Sequence, residues 1–209
     1  MHEIDQVPRR RLLRIGGTTV AAAVVLAACR ETGSDDAGDA ERARASRADL
    51  EILRTAASLD QLAMVVYETT IDSGLVTTAG AADTLALFRR HHREHAELFA
   101  SAIADAGGEP FTEPNPVVLR SLQPALDAVA DEAAALALAV DVERLLAETY
   151  QSFVGAFTDR SFDIATMSVG GTEARHAAVL APLVGRASAP RAFQPTDEAI
   201  PPGTGLPAG

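Results

Sequence analysis

The chain has 209 residues, which is enough for one domain of ordinary size with accessory segments but not for two full domains. Hydrophobic residues make up 47% of it and aromatic residues only 4%, so the apolar mass is mostly Ala, Leu and Val and favours helices over sheets. The formal net charge of −11 argues against a nucleic acid as partner.

Residues 1–29 have the parts of a bacterial export signal. Arg9 and Arg10, followed by a third arginine, two leucines and a further arginine, resemble a twin-arginine signal. Residues 15–28 are apolar or small but too few to cross a bilayer, which needs ~20 residues, so we predict a signal segment rather than a membrane span. Cys29 is the only cysteine and follows Leu-Ala-Ala, as in a bacterial lipobox. We therefore predict a lipid on Cys29 that anchors the exported protein to the outer face of the cytoplasmic membrane, in the periplasm or cell envelope.

Two further segments flank the expected domain. Residues 30–46 are rich in Gly, Ser, Asp, Glu, Arg and Ala, a composition that predicts a flexible tether. Residues 187–209 end in a Pro- and Gly-rich stretch that predicts an irregular tail. Loss of the signal removes more arginines than acids, so the mature surface would repel anionic lipid headgroups and leave the lipid as the only membrane attachment. The folded domain is expected over residues 47–186.

Apolar spacing and turn residues predict four long helices in this domain. They cover about residues 47–73, 81–106, 124–157 and 163–184. The second helix ends at Gly107 and Gly108, which suit a helix C-terminus. Three prolines between residues 109 and 116 exclude a helix interior there, and a short helix can follow from Val117. Because only the middle connection is long, the predicted fold class is an all-α, ferritin-like four-helix bundle of two antiparallel hairpins joined by a crossover.

Each predicted helix turns at least one ionisable side chain towards its apolar face. Two helices carry an acid seven residues before a tyrosine, a spacing that stays within ~20° of one helical face. The other two carry a pair of residues spaced by three, which stay within ~60°. These residues are Asp60 and Tyr67, His92 and His95, Glu143 and Tyr150, and Glu173 and His176. The pattern occurs once in each half of the domain, so the side chains can converge.

The three carboxylates in this pattern need partners if they are buried together. An unpaired buried carboxylate costs several kcal/mol, and a metal ion compensates that cost best. Carboxylate and imidazole ligands suit iron, manganese or zinc. The imidazole nitrogen of His92 in this set shifts the preference towards zinc or iron. The alternative is a metal-free polar core in which imidazolium groups and tyrosine hydroxyls satisfy the carboxylates.

With these motifs, residues 47–186 resemble the ferritin-like superfamily, specifically its exported ferritin-like domain proteins. Each half of those proteins offers one helix with Glu-x6-Tyr and one helix with Glu-x-x-His. The resemblance implies that Glu143, Glu173 and His176 are metal ligands, because they match the family in type and spacing. It implies the same of His95, which matches the histidine of the first half.

Two positions depart from the family pattern. Asp60 stands where a Glu is expected, and its side chain is one methylene shorter, so it reaches less far towards a bridging position. His92 also replaces an expected Glu, which leaves three carboxylates where four would balance two divalent ions. With these departures the implied ligand set is completed by Asp60 and His92, and Tyr67 and Tyr150 are expected to hydrogen-bond ligands on neighbouring helices.

Two other features need an interpretation. His91 steps onto the flank of its helix, so we interpret it as a boundary residue that replaces His92 as ligand only if the register slips. Gly170 and Gly171 lack the flanking pattern of a phosphate-binding loop, and we interpret them as a kink or a close packing point just before Glu173.

The function expected from this combination is metal binding, with iron first and manganese or zinc as alternatives. Turnover, if there is any, would be redox chemistry such as ferroxidase activity or peroxide consumption. The alternative is a metal-free scaffold or binding module of the cell envelope. A hydrolase is disfavoured because no Ser-His-Asp or Cys-His arrangement is found, and a closed storage cage fits poorly with a lipid on every subunit.

Overall fold

The computed structural model describes residues 36–207, with side chains from residue 47 onwards. The predicted export signal, including Arg9, Arg10 and Cys29, lies outside the described residues, as do residues 30–35 of the predicted tether. In the described part of the chain, no helix is both long and apolar enough to cross a membrane.

The described residues form helices and loops without any β-strand. The helices are α1 (Asp36–Asp72), α2 (Ala79–Asp105), α3 (Pro116–Asp127), α4 (Glu132–Phe153) and α5 (Ser161–Leu180), followed by a short 3₁₀ turn at Ala181–Val184. The prediction of an all-helical fold is therefore confirmed.

The first helix begins earlier than the sequence predicts. Residues 36–46, whose composition predicts a flexible tether, form the first turns of α1. This stretch contains no proline and is rich in Ala and Arg, which are strong helix formers. The composition that suggests a solvated linker is thus equally that of a solvated helix.

The third long helix is shorter at both ends than the predicted 124–157. Pro124, which suits the first turn of a helix, lies instead inside α3, and α4 begins only after Asp131. The Asp131 side chain caps α4 by accepting a hydrogen bond from the backbone N–H of Ala134. Near the other end, Gly155 has a φ of 86° and makes the turn that separates α4 from the next helix.

The core lies between the four long helices. α1 packs along α2 and α4 along α5, and contacts between α1 and α4 and between α2 and α5 join these pairs. The buried apolar side chains include Leu53, Phe99, Leu146 and Leu180, one from each long helix. The same faces bury the ionisable residues described below, so the apolar packing positions them.

The C-terminal tail is irregular but lies against the helices. The backbone N–H of Gly203 donates to Thr55 Oγ1 of α1 at 2.9 Å, and that of Ile200 donates to Thr149 Oγ1 of α4 at 3.1 Å. Buried Asn115, which caps α3, donates to the carbonyl oxygen of Thr204 at 2.9 Å. These bonds stabilise the tail and the α2–α4 connection on one face of the helices.

Gly170 is a close packing point, as the sequence suggests, because α5 lies directly on Tyr150 there. A Cβ at Gly170 would come within 2.8 Å of Tyr150 Cβ, whereas a Cβ at neighbouring Gly171 would meet nothing within 4 Å.

We expect Gly170→Ala to lower the free energy of unfolding by ~1–3 kcal/mol, as overpacked cores do. We expect Gly171→Ala to raise it by up to ~1 kcal/mol through helix propensity. Chemical denaturation of this matched pair checks both signs, and equal effects would contradict the packing argument.

Candidate metal centre

The six predicted ligands come together inside the bundle. Asp60 lies on α1, His92 and His95 on α2, Glu143 on α4, and Glu173 and His176 on α5. Five of them are buried, and the side chain of His95 is 13% exposed. Each occupies the inward face of its own helix, so the six side chains meet in the interior. The result is a cluster of three carboxylates and three imidazoles.

His92 lies between two carboxylates from different helices. Its Nδ1 is 2.9 Å from Asp60 Oδ1, and its Nε2 is 2.9 Å from Glu143 Oε1. An imidazole that donates from both nitrogens is a cation, so this geometry fits a protonated ring between two anions. His92 therefore occupies the centre of the cluster and can partly compensate buried negative charge.

Glu173 has a different environment. Its Oε1 is 2.9 Å from His95 Nδ1 and its Oε2 is 3.0 Å from His176 Nδ1, but neither pair has hydrogen-bond geometry. Among the described side chains, both Glu173 oxygens and His95 Nδ1 are buried polar atoms without a hydrogen-bond partner. Such atoms are rare in folded proteins and call for a specific explanation, one of which is a bound ion.

The two tyrosines cross-link the halves of the cluster reciprocally. Tyr67 on α1 donates to Glu143 Oε1 on α4, and Tyr150 on α4 donates to Asp60 Oδ2 on α1. Burial raises the pKa of both phenols, and the neighbouring carboxylates raise it further, so the hydroxyls stay protonated as donors. Glu143 and Asp60 are thereby each oriented by a tyrosine from the other pair of helices.

The pKa values of the three carboxyl groups diverge. Burial would raise the pKa of Asp60, but the hydrogen bond from His92 and the nearby imidazoles of His92 and His95 outweigh it and lower that pKa. Burial likewise opposes ionisation of Glu143, where the charge of His92 and a hydrogen bond with His176 prevail and lower the pKa. For Glu173, burial and the charge of Glu143 win over the histidines and raise the pKa. Glu173 is the least satisfied anion of the cluster.

The histidines of the cluster are all favoured in their charged form. Burial would lower the pKa of His92, but the charges of Glu173 and Glu143 raise it well above its ordinary value. Against the same burial effect, the neighbouring carboxylates of Asp60 and Glu173 raise the pKa of His95 to about 9. Contacts with both glutamates similarly raise the pKa of His176. Without an ion, imidazolium groups supply the positive charge that the carboxylates need.

His91 contacts the cluster, which the sequence analysis did not anticipate. Its Nδ1 lies 2.9 Å from Nε2 of His176, and the two rings are stacked with centroids 5.1 Å apart. His91 precedes His95 by four residues, one helical turn, and this spacing was the signal that could have placed it beside the site. It remains half-buried, as expected for a boundary residue, but it contacts a ligand candidate.

Two overlapping sets of residues have metal-binding geometry in the described part of the chain. One is Asp60, His92, His95 and Glu173, and the other is His92, Glu143, Glu173 and His176. Within each set the ligand atoms lie within 4.8 Å of one another. Each set offers two nitrogens and two oxygens, which suits zinc or iron. Glu173, whose oxygens have no hydrogen-bond partner, belongs to both sets. The cluster is therefore compatible with metal binding.

The two sets also show where Asp60 and His92 lie, the two positions at which the sequence departs from the expected glutamates. Asp60 belongs to one set only, and its Oδ1 lies 3.3 Å from His95 Nδ1. The central, shared positions belong to His92 and Glu173. The shorter side chain of Asp60 therefore affects one set, whereas the imidazole of His92 is part of both.

One of three comparisons with known proteins found a match. A search of curated proteins and a search of solved structures each found no match. A family model described as ferritin-like domain matches residues 48–186, which span α2 to α5 and most of α1. Because the match covers more than half of the 209 residues, the chain belongs to the ferritin-like domain family.

Proposed function

We propose that this chain is a membrane-anchored, exported ferritin-like protein that binds one or two metal ions in the core of its bundle. One observation carries the metal proposal: both oxygens of buried Glu173 and Nδ1 of His95 have no hydrogen-bond partner among the described residues. The two four-residue sets that contain Glu173 supply the remaining ligands. A metal ion would pair with these atoms and offset the cost of burying them.

Bound iron would supply one-electron redox chemistry, and we propose ferroxidase or peroxide-consuming activity on that basis. Manganese and zinc suit the same ligand types, although zinc has no redox chemistry. The protein's own contribution is to position the ligands on four helices, to orient Glu143 through Tyr67 and Asp60 through Tyr150, and to exclude bulk water.

The helix arrangement that supports this site is also a proposal. We propose two antiparallel hairpins, α1–α2 and α4–α5, with the α3 segment as crossover. The short α1–α2 and α4–α5 connections and the packing within each pair support this topology. The reciprocal bonds of Tyr67 and Tyr150 support an approximate two-fold relation between the hairpins.

A metal-free scaffold of the cell envelope is the second candidate, and the position of His92 favours it. The ring lies 2.9 Å from a carboxylate oxygen on either side, which is where an internal cation would be most useful. In that case the cluster is a polar core in which imidazolium groups have taken over the role of metal.

Metal content and chelator sensitivity separate the two functions. We expect protein purified from its native compartment to contain iron, manganese or zinc, measured by elemental analysis. Its melting temperature should fall when a chelator removes the metal and recover when the metal is restored, because a ligand that binds only the folded state stabilises it. A protein that contains no metal and gains no stability from these three ions would favour the scaffold.

The membrane anchor rests on residues 1–29, where Cys29 ends the apolar stretch. We expect Cys29→Ala to move the protein from the membrane fraction to the soluble exported fraction, because the mature chain is strongly acidic and has no other attraction to anionic lipid. Sedimentation of the variant with membranes in high salt would contradict the anchor.

A further inference from the structure

The ring of His176 is held from outside the cluster. Its Nδ1 faces inward, 3.3 Å from Glu143 Oε2 and 3.0 Å from Glu173 Oε2. Its Nε2 faces outward to His91 Nδ1 at 2.9 Å. Phe88 stacks on the face of the His176 ring with centroids 3.8 Å apart. Both the plane of this ring and the direction of its two nitrogens are therefore determined by α2.

The hydrogen bond to His91 has a defined direction once Nδ1 of His176 binds a metal. A neutral imidazole has one donor and one acceptor nitrogen, so a ring that offers the Nδ1 lone pair must carry its proton on Nε2. That proton can only be donated outward, and the acceptor at hydrogen-bond distance is Nδ1 of His91. His91 then carries its own proton on Nε2.

We propose that His91 is a positioning residue, which accepts a hydrogen bond from Nε2–H of His176 and thereby presents Nδ1 of His176 to the metal. The inference rests on the proposed function, since it assigns His91 a role at the same site. Metal-ligating histidines commonly need such an outer partner, which selects the tautomer and orients the ring. Here a second histidine supplies it, in place of the more usual carboxylate or backbone carbonyl.

Two substitutions separate the hydrogen bond from the packing. His91→Phe keeps an aromatic ring beside Phe88 and His176 but cannot accept a hydrogen bond. His91→Asn loses the ring but places an amide oxygen near the position of Nδ1. The probes are Zn²⁺, with affinity measured by competition against a chromophoric chelator, and ¹⁵N NMR of the zinc-loaded protein, which shows which nitrogen of His176 binds zinc.

We expect His91→Phe to weaken zinc binding by about 10- to 100-fold, as loss of an outer partner does, while the melting temperature of the metal-free protein changes little. We expect His91→Asn to retain most of the affinity, with zinc on Nδ1 of His176 as in the wild type. Wild-type affinity in His91→Phe, or an equal loss in both variants, would overturn the positioning role and leave the metal site intact. A wild type that binds neither Zn²⁺, Mn²⁺ nor Fe²⁺ would instead overturn the proposed function, and the role of His91 with it.

Discussion

Glu173→Gln is expected to have opposite effects on stability with and without metal. In the metal-free protein, burial and the charge of Glu143 raise the pKa of Glu173, so its anion is less favourable in the folded than in the unfolded state. At pH values above the pKa of Glu173 in the unfolded chain, which include neutral pH, this difference lowers the free energy of unfolding. A neutral amide at this position removes that loss. We therefore expect the metal-free variant to be at least as stable as the metal-free wild type.

With metal present the order should reverse, because Glu173 belongs to both four-residue sets. A ligand at 100 times its dissociation constant adds ~2.7 kcal/mol to the stability of the wild type, and a variant that has lost a ligand from both sets gains little. Thermal unfolding of both proteins with chelator and with added Fe²⁺, Mn²⁺ or Zn²⁺ shows whether the order of their melting temperatures reverses. Glu97→Gln, at an exposed position of α2, is the matched control for the change in charge. Parallel curves for Glu173→Gln and the wild type under both conditions would argue against a metal at this site.

His92→Glu is expected to destabilise the metal-free protein strongly and to raise its metal capacity. The substitution removes the imidazole between Asp60 and Glu143 and places a fourth carboxylate beside three buried ones. Loss of one partner from a buried ion pair costs ~3–5 kcal/mol, and the added anion increases that cost. The free energy of unfolding in the presence of chelator measures this effect.

In the presence of metal, four carboxylates can balance two divalent ions where three cannot. We expect the wild type to hold nearer one ion per chain, because the two sets share His92 and Glu173, and His92→Glu to hold nearer two. Elemental analysis of the loaded proteins gives the ratio. His92→Gln separates the two causes, since it removes the imidazole without adding an anion and should not gain a second ion. An unchanged ratio in His92→Glu would show that His92 does not limit occupancy.

Much of the fold follows from local rules that can be read along the chain. Helices end where glycine or proline prevents their continuation, as after α2, and their inward faces follow from apolar spacing. The boundaries that sequence analysis missed lie where two signals compete. Residues 36–46 have a composition that serves a linker or a helix, and Pro124 suits a first turn but occurs inside α3. Packing and capping, rather than local preference, decide between such alternatives.

The sequence by itself determined which residues form the buried cluster of carboxylates and imidazoles. Ionisable residues at spacings of three and seven on apolar helical faces must meet if the helices pack by those faces, because an unpaired buried charge is too costly to leave elsewhere. The relations between helices were decided only by the tertiary structure. It places His92 between Asp60 and Glu143, leaves the oxygens of Glu173 without hydrogen-bond partners among the described residues, and sets His91 against His176. These contacts join residues 32 to 85 positions apart, and their distances depend on how the helices cross and rotate, which spacing along one helix does not define.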